Sequence, residues 1–386
     1  MNNFEYYNPT KLIFGEGTIS KLIEEISGKY KKILLHYGKD SIKKYGVYDQ
    51  VVNAIKEAKA EFVELSGVEP NPKLSLIREG IKICKEEGVD FILSAGGGSV
   101  IDSAKAISVG AVSDTDIWKY FIDEEITNAL PTGVVLTIPA TGSESSPSSI
   151  VTNEEGLLKR GIESDILRPV FAILDPALTV TLPNYQTFAG VVDILSHIFE
   201  RYFTNTEYTD LTNGLCEATI KTVIKNAHIL KENPKDINAR GEIMLSGTIA
   251  HNGILGLGRQ EDWGSHRIGH EITALYGTTH GVTLSIILPA WMKYVYKTNL
   301  KRFKEFGVNV FGISELEKSD EEIALESILE LEKFFQSVDM PIRLSEIGIG
   351  EKDFKEMANK CTMSGSVGRF KVLCNEDVIE ILKLAL

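Results

Sequence analysis

The chain has 386 residues, 43% hydrophobic and 25% charged, and its 41 Lys and Arg against 54 Asp and Glu leave a formal charge of −13. That composition excludes intrinsic disorder, and the acidic balance argues against nucleic acid or an anionic membrane as partner. At about 150 residues per domain, the length predicts two to three domains. The opening residues, Met1 to Tyr7, carry neither the basic nor the apolar region of a signal peptide. No run approaches the ~18 apolar residues of a membrane span. Cys84, Cys216, Cys361 and Cys374 are scattered without a CxxC pair. The expectation is a cytoplasmic protein with reduced thiols and no metal knuckle.

In chain order, Lys32–His36 reads as a strand, followed by a helical pattern through Val51, Val52, Ile55 and Ala58. Glu61–Leu65 is the next strand, and Leu74, Ile77, Ile81 and Cys84 mark a helix face. Asp90–Ser94 is a further strand running into glycines, and Val134–Ile138 and Phe171–Leu174 complete the set. Alternating strands and helices predict a parallel sheet covered on both faces. After Leu182 the texture changes to long helical patterns at 185–203, 211–230 and 238–255. This predicts an α/β domain over residues 1–182 and an all-α domain over 183–386, with no internal repeat.

Between the third strand and its helix lies Ser94-Ala-Gly-Gly-Gly-Ser99-Val-Ile-Asp102. Consecutive glycines let a backbone approach a ligand closely, and amides at a helix start favour phosphate. Ser99 with Asp102 has the spacing of a capping box. A plain strand-to-helix turn explains the same glycines without any ligand. A second small and hydroxyl-rich turn, Thr137 to Ser146, follows the next strand. The glycines at 253, 256 and 258 follow no strand and are read as loop residues.

Seven histidines are present. Asp193 and His197 stand four apart, as do His266 and His270, so each pair shares a helix face. His280 follows in a segment that reads as a loop before an apolar run. Carboxylate and imidazoles gathered from several helices are how helical proteins build divalent-metal sites. His36, His228 and His251 are read as ordinary core or surface residues.

These motifs together resemble the iron-containing (group III) alcohol dehydrogenase family, in its butanol dehydrogenase and broad-specificity aldehyde reductase branch. The match covers nearly the whole chain: Tyr7 to Gly15, Gly67-Val-Glu-Pro-Asn-Pro72, Gly96 to Asp102, Leu174-Asp-Pro, Gly190 to His197, Trp263-x-x-His266-x-x-x-His270 and His280-Gly281. The resemblance implies a Rossmann-like N-terminal domain plus an all-α C-terminal domain, a dehydroquinate synthase-like architecture. It implies a metal-dependent, NAD(P)-linked enzyme interconverting small primary alcohols such as butanol and their aldehydes. Asp193, His197, His266 and His280 would be the metal ligands, and His270 the catalytic proton relay. Gly96, Gly97, Gly98, Ser99 and Asp102 match the pyrophosphate turn, and Asn71, Thr137, Thr141 and Lys159 match further cofactor contacts.

One segment departs from the family pattern. Where the branch shows Tyr-Gly-Gly-Gly-Ser, this chain has Tyr37-Gly38-Lys39-Asp40-Ser41, at the place where the adenosine ribose is expected. Gly38 leaves room for a 2′-phosphate that an acidic side chain would repel, and Lys39 offers it a point charge. Asp40 opposes this unless it caps the following helix. The reading leans to NADP with NAD usable. Three imidazoles and a carboxylate suit Fe2+ and Zn2+ alike. The expected partners are small alcohols or aldehydes and a second copy in a homodimer. The alternatives are a glycerol or diol dehydrogenase and a dehydroquinate-synthase-like lyase. The lyase needs a basic cluster, of which only Arg259 and Arg267 stand near the metal motifs.

Overall fold

A computed structural model describes all residues from Met1 to Leu386. Chain contacts form two compact units: Tyr7–Leu182 with Lys235–Asn252, and Met1–Tyr6 with Pro183–Pro234 and Gly253–Leu386.

The sheet-bearing unit runs β1 (Lys11–Phe14), α1 (Leu22–Ile26), β2 (Lys32–Tyr37), α2 (Ser41–Lys44), α3 (Val47–Glu57), β3 (Glu61–Leu65), α4 (Leu74–Glu87), β4 (Phe91–Gly97), α5 (Gly98–Ala111), α6 (Ile117–Tyr120), β5 (Thr132–Ile138), β6 (Ser148–Asn153), β7 (Leu158–Glu163) and β8 (Phe171–Leu174). Six strands form one parallel sheet in the order β1-β8-β5-β4-β2-β3. The central strands are buried end to end: Phe91, Ile92, Leu93, Val134 and Val135 are fully inaccessible. Such continuous apolar runs are the mark of a sheet covered on both sides. β6 and β7 make a separate antiparallel pair that the sequence reading did not foresee.

The helices that follow are α7 (Asn184–Tyr202), α8 (Asp210–Glu232), α9 (Ile237–His251), α10 (Gly264–Tyr276), α11 (His280–Val295), α12 (Leu300–Phe311), α13 (Asp320–Ser337), α14 (Phe354–Cys361) and α15 (Asn375–Leu384). A single cut at 182/183 does not describe the contacts, because α9 packs with the sheet. Its Met244 sits in one cluster with Ile101, Val134, Leu136, Ala172 and Leu174. No helix is long and apolar enough to cross a membrane.

Candidate functional site

In the sheet-bearing unit, β2 continues outward to β3, whereas β4 returns to the other side of β2 and leads on to β5 and β8. The strand order therefore reverses between β2 and β4, where doubly wound sheets bind nucleotides beyond the carboxyl ends of the strands. Tyr37 and Ala95 are register partners at that end. Gly38, Lys39 and Ser41 thus emerge beside Gly96, Gly97, Gly98 and Ser99. A Cβ on Gly98 would lie 2.4 Å from Thr141 Oγ1. The two turns read separately in the sequence are therefore packed on each other, and the glycine is needed for that approach.

Two capping expectations fail. α5 begins at Gly98 with Gly97 as its cap and no side-chain cap bond, which places Ser99 inside the helix. Asp102 faces inward instead, accepting from Ser143 Oγ at 2.6 Å and Ile150 N at 3.1 Å. Burial pushes its carboxyl above the usual range, and the Lys105 charge works against that shift. Asp40 likewise makes no side-chain cap bond to α2.

Lys39 pairs with Glu69 at 2.7 Å, and Glu69 also holds Lys73 at 2.8 Å. The two ammonium partners bring the Glu69 carboxyl down to about 2. On the same loop, Asn71 accepts from Lys159 Nζ at 3.0 Å. Thr137 ends β5 one residue before its last position and is buried.

The histidines assemble in the helical unit. α7 is buried from Thr187 to Tyr202 and carries Asp193 and His197. α10 carries His266 and His270, and His280 opens α11. The segment read as a loop is thus a helix start. A Cβ on Gly281 would lie 1.9 Å from the Ala189 carbonyl oxygen. Only glycine lets α11 approach α7 this closely, and the approach brings His280 to Asp193.

One donor atom each from Asp193, His266 and His280 lies within 4.8 Å of the others. His197 is outside that group of three, but its ring stands 4.8 Å from that of His266. The His270 ring is 5.1 Å from His280 and 6.5 Å from His266, and its residue is half-buried. His197 Nδ1 donates to the Asp193 carbonyl oxygen at 2.9 Å, which leaves the lone pair on Nε2. Burial, His266 and Arg201 hold His197 well below its usual range, so it stays neutral, the form that binds metal.

Glu200, one turn after His197, was not singled out by the sequence reading. Its Oε1 accepts from Ser265 Oγ at 2.6 Å, His266 N at 3.1 Å and His266 Nδ1 at 2.6 Å, and its Oε2 accepts from Trp263 N. Burial raises its carboxyl to about 7. The available signal was a polar set at 193, 197 and 200 on one face of an otherwise apolar helix.

A carboxylate with imidazoles presenting Nε2 is a donor set suited to a divalent ion. Donors bound at ~2.1 Å in a tetrahedron stand about 3.4 Å apart; here His280 Nε2 and Asp193 Oδ1 are 3.9 Å apart and the three donor atoms all lie within 4.8 Å of one another. His36 is a satisfied core histidine: Nδ1 donates to Leu65 O at 2.9 Å and Nε2 takes Ser103 Oγ at 2.8 Å. Arg259 is turned inward onto Arg201 O, Thr209 O and Asn213, which removes half of the small basic set that a lyase would require.

Residues 9–176 match the iron-containing alcohol dehydrogenase family, and residues 187–386 match the C-terminal domain of the Fe-containing alcohol dehydrogenase family. The chain is 44% identical to the probable NADH-dependent butanol dehydrogenase 1 of Bacillus subtilis, over 100% of both chains. It is 35% identical to the NADPH-dependent aldehyde reductase YqhD of Escherichia coli, over 95% of this chain and 94% of that one. The solved structure of NADH-dependent butanol dehydrogenase A from Thermotoga maritima superposes with a TM-score of 0.96 at 43% identity, covering 100% of this chain and 99% of that one. The chain belongs to the iron-containing alcohol dehydrogenase family, in its butanol dehydrogenase branch, and is an NAD(P)-linked alcohol dehydrogenase and aldehyde reductase.

Proposed function

We propose that Asp193, His197, His266 and His280 hold one divalent ion, Fe2+ or Zn2+, and that the substrates are small primary alcohols such as butanol and their aldehydes. The observation that carries this reading is the convergence of Asp193, His266 and His280 donor atoms within 4.8 Å. An ion held there supplies Lewis-acid polarisation of the substrate oxygen, and a bound nicotinamide supplies the hydride. The chain's own part is to hold and orient. His270, on the half-buried side of the cluster, passes the proton between the alcohol oxygen and solvent. Gly96, Gly97, Gly98 and Ser99 present the amides of the α5 start to a pyrophosphate, while Thr137, Thr141 and the Asn71–Lys159 pair line the rest of the nucleotide site. Asp102 acts behind this turn by tying α5 to the Ser143–Ile150 segment. The test is metal analysis of the purified protein together with butanal reduction by NADH and NADPH. Activity that survives complete removal of divalent metal overturns the reading.

Gly38 admits a 2′-phosphate, which is the ground for the sequence's lean to NADP. Against it, Lys39 is held by Glu69, and the relatives at 43–44% identity are named as NADH-dependent. The proposed preference is NADH, with NADPH accepted. A Cβ on Gly38 would meet only Val68 O, at 3.5 Å, so Gly38→Asp is tolerated by the fold. Its kcat/KM for NADPH is expected to fall about tenfold or more through repulsion of the phosphate. An unchanged NADPH efficiency would remove Gly38 from the ribose pocket.

The four cysteines form no disulfide with one another, which suits a reducing compartment, and the cytoplasm is the proposed location. The proposed assembly is a homodimer through β1, an edge strand whose Leu12 and Phe14 are 37% and 45% exposed. An apolar sheet edge of this kind invites strand pairing, and sedimentation equilibrium reads the outcome.

A further inference from the structure

α10 starts without a cap of its own. Its N-cap residue, Trp263, sits at φ +67° and offers no side-chain bond to the helix. A non-glycine residue in this left-handed region persists only where its surroundings hold it. What holds it is Glu200 on α7: the side chain binds Trp263 N, Ser265 Oγ and His266 N, and the Glu200 carbonyl oxygen accepts from Asp262 N at 2.8 Å. Asp262 adds bonds to Gly264 N, Arg369 N and Phe370 N. The same Glu200 oxygen that caps the helix also takes the His266 ring at Nδ1. One carboxylate thus sets the helix start, the ring plane and the tautomer together.

We infer that Glu200 is a positioning residue of the metal centre: it keeps the His266 proton on Nδ1 and turns Nε2 towards Asp193 and His280. The inference rests on the proposed role of His266 as a metal donor. Carboxylates that accept from the outer nitrogen of a ligating histidine fix its orientation and raise its basicity, and losing one costs about 10–100-fold in metal affinity. α7 then serves the centre twice, with Asp193 and His197 as donors and Glu200 acting through a neighbour's ring.

The experiment measures Zn2+ affinity of the full-length, metal-stripped protein by competition with a chromophoric chelator. Glutamine matches glutamate in size but replaces one acceptor oxygen with a donor, so it cannot satisfy both the Trp263 side and the His266 side. Glu200→Gln is expected to weaken Zn2+ about 10–100-fold. Ser265→Ala removes one helix-start bond and leaves the Glu200–His266 pair, so it is expected to shift affinity by less than about threefold. Wild-type affinity in Glu200→Gln, or an equal loss in Ser265→Ala, overturns the inference, the latter by reducing Glu200 to a helix cap. The nitrogen-15 shifts of His266 in the wild-type metal-stripped protein give a readout that needs no variant. They should show protonation at Nδ1, and a proton on Nε2 overturns the inference. Undiminished affinity in His266→Ala would instead bring down the donor assignment beneath it.

Discussion

His280→Ala is expected to purify with most of its metal missing and with butanal reduction reduced by at least about tenfold. Losing a ligand costs no less than losing an outer-shell partner, itself worth about 10–100-fold in affinity. The fold should survive, because the His280 side chain is only the first residue of α11 and keeps 18% of its surface exposed. The packing that joins α11 to α7 is carried by its neighbour Gly281 against Ala189. Metal analysis paired with circular dichroism reads both halves of the result. Thermal stability should fall as well, since an ion that binds only the folded state stabilises it by mass action. Full occupancy with full activity would remove His280 from the ligand set.

His270→Ala should give the opposite pattern. Its ring stands 6.5 Å from that of His266, against 4.8 Å for His197, and the proposed ligand set leaves it out, so metal content should stay stoichiometric. The rate should fall by about 10²–10⁴-fold, the usual worth of a positioned general acid or base. The pH–rate profile should lose the limb that belongs to the relay. Stoichiometric metal with an unchanged profile would make His270 a packing residue. Metal lost in step with activity would make it a ligand. The two variants together separate holding an ion from moving a proton.

Much of the architecture could be read from periodicity. The strands at 61–65 and 171–174 fall where the sequence pattern places them, β2 and β5 gain one and two residues at an end, β4 runs from 91 to 97 against the expected 90–94, and the edge strand β1 was not foreseen. The β6–β7 pair escaped because Leu158-Lys-Arg-Gly-Ile-Glu163 carries charges and a glycine, and its strand character comes from its antiparallel partner. His280 was read as a loop residue because Gly277 and Gly281 flank it. The helix there is set by contact with Ala189, which lies far away in sequence. The capping box at Ser99 failed for a similar reason: α5 starts two residues early, with Gly97 as its cap, and Asp102 finds Ser143 and Ile150 instead of amides of its own first turn. The metal cluster was legible because i, i+4 spacing survives translation into a helix. Glu200 and the Lys39–Glu69 pair were not, since a hydrogen bond across 66 residues or an ion pair across 30 leaves no local pattern.

The placement of α9 bears on how the protein is made. A nascent chain that has emerged only as far as Leu182 holds every strand of the sheet but lacks the helix whose Met244 covers Ile101, Val134, Leu136, Ala172 and Leu174. It also lacks Thr248 and His251, which bind Glu144 Oε1 at 2.6 Å and Thr141 O at 2.7 Å. The sheet must therefore wait with an apolar face uncovered until residue 252 leaves the ribosome. At 5–20 residues per second, that wait is roughly 4 to 14 s. During this interval the segment 183–234, which belongs to the other unit, emerges first. The two units thus mature together and not in the order in which they are translated. The half-built sheet is the species on which a chaperone has most to do.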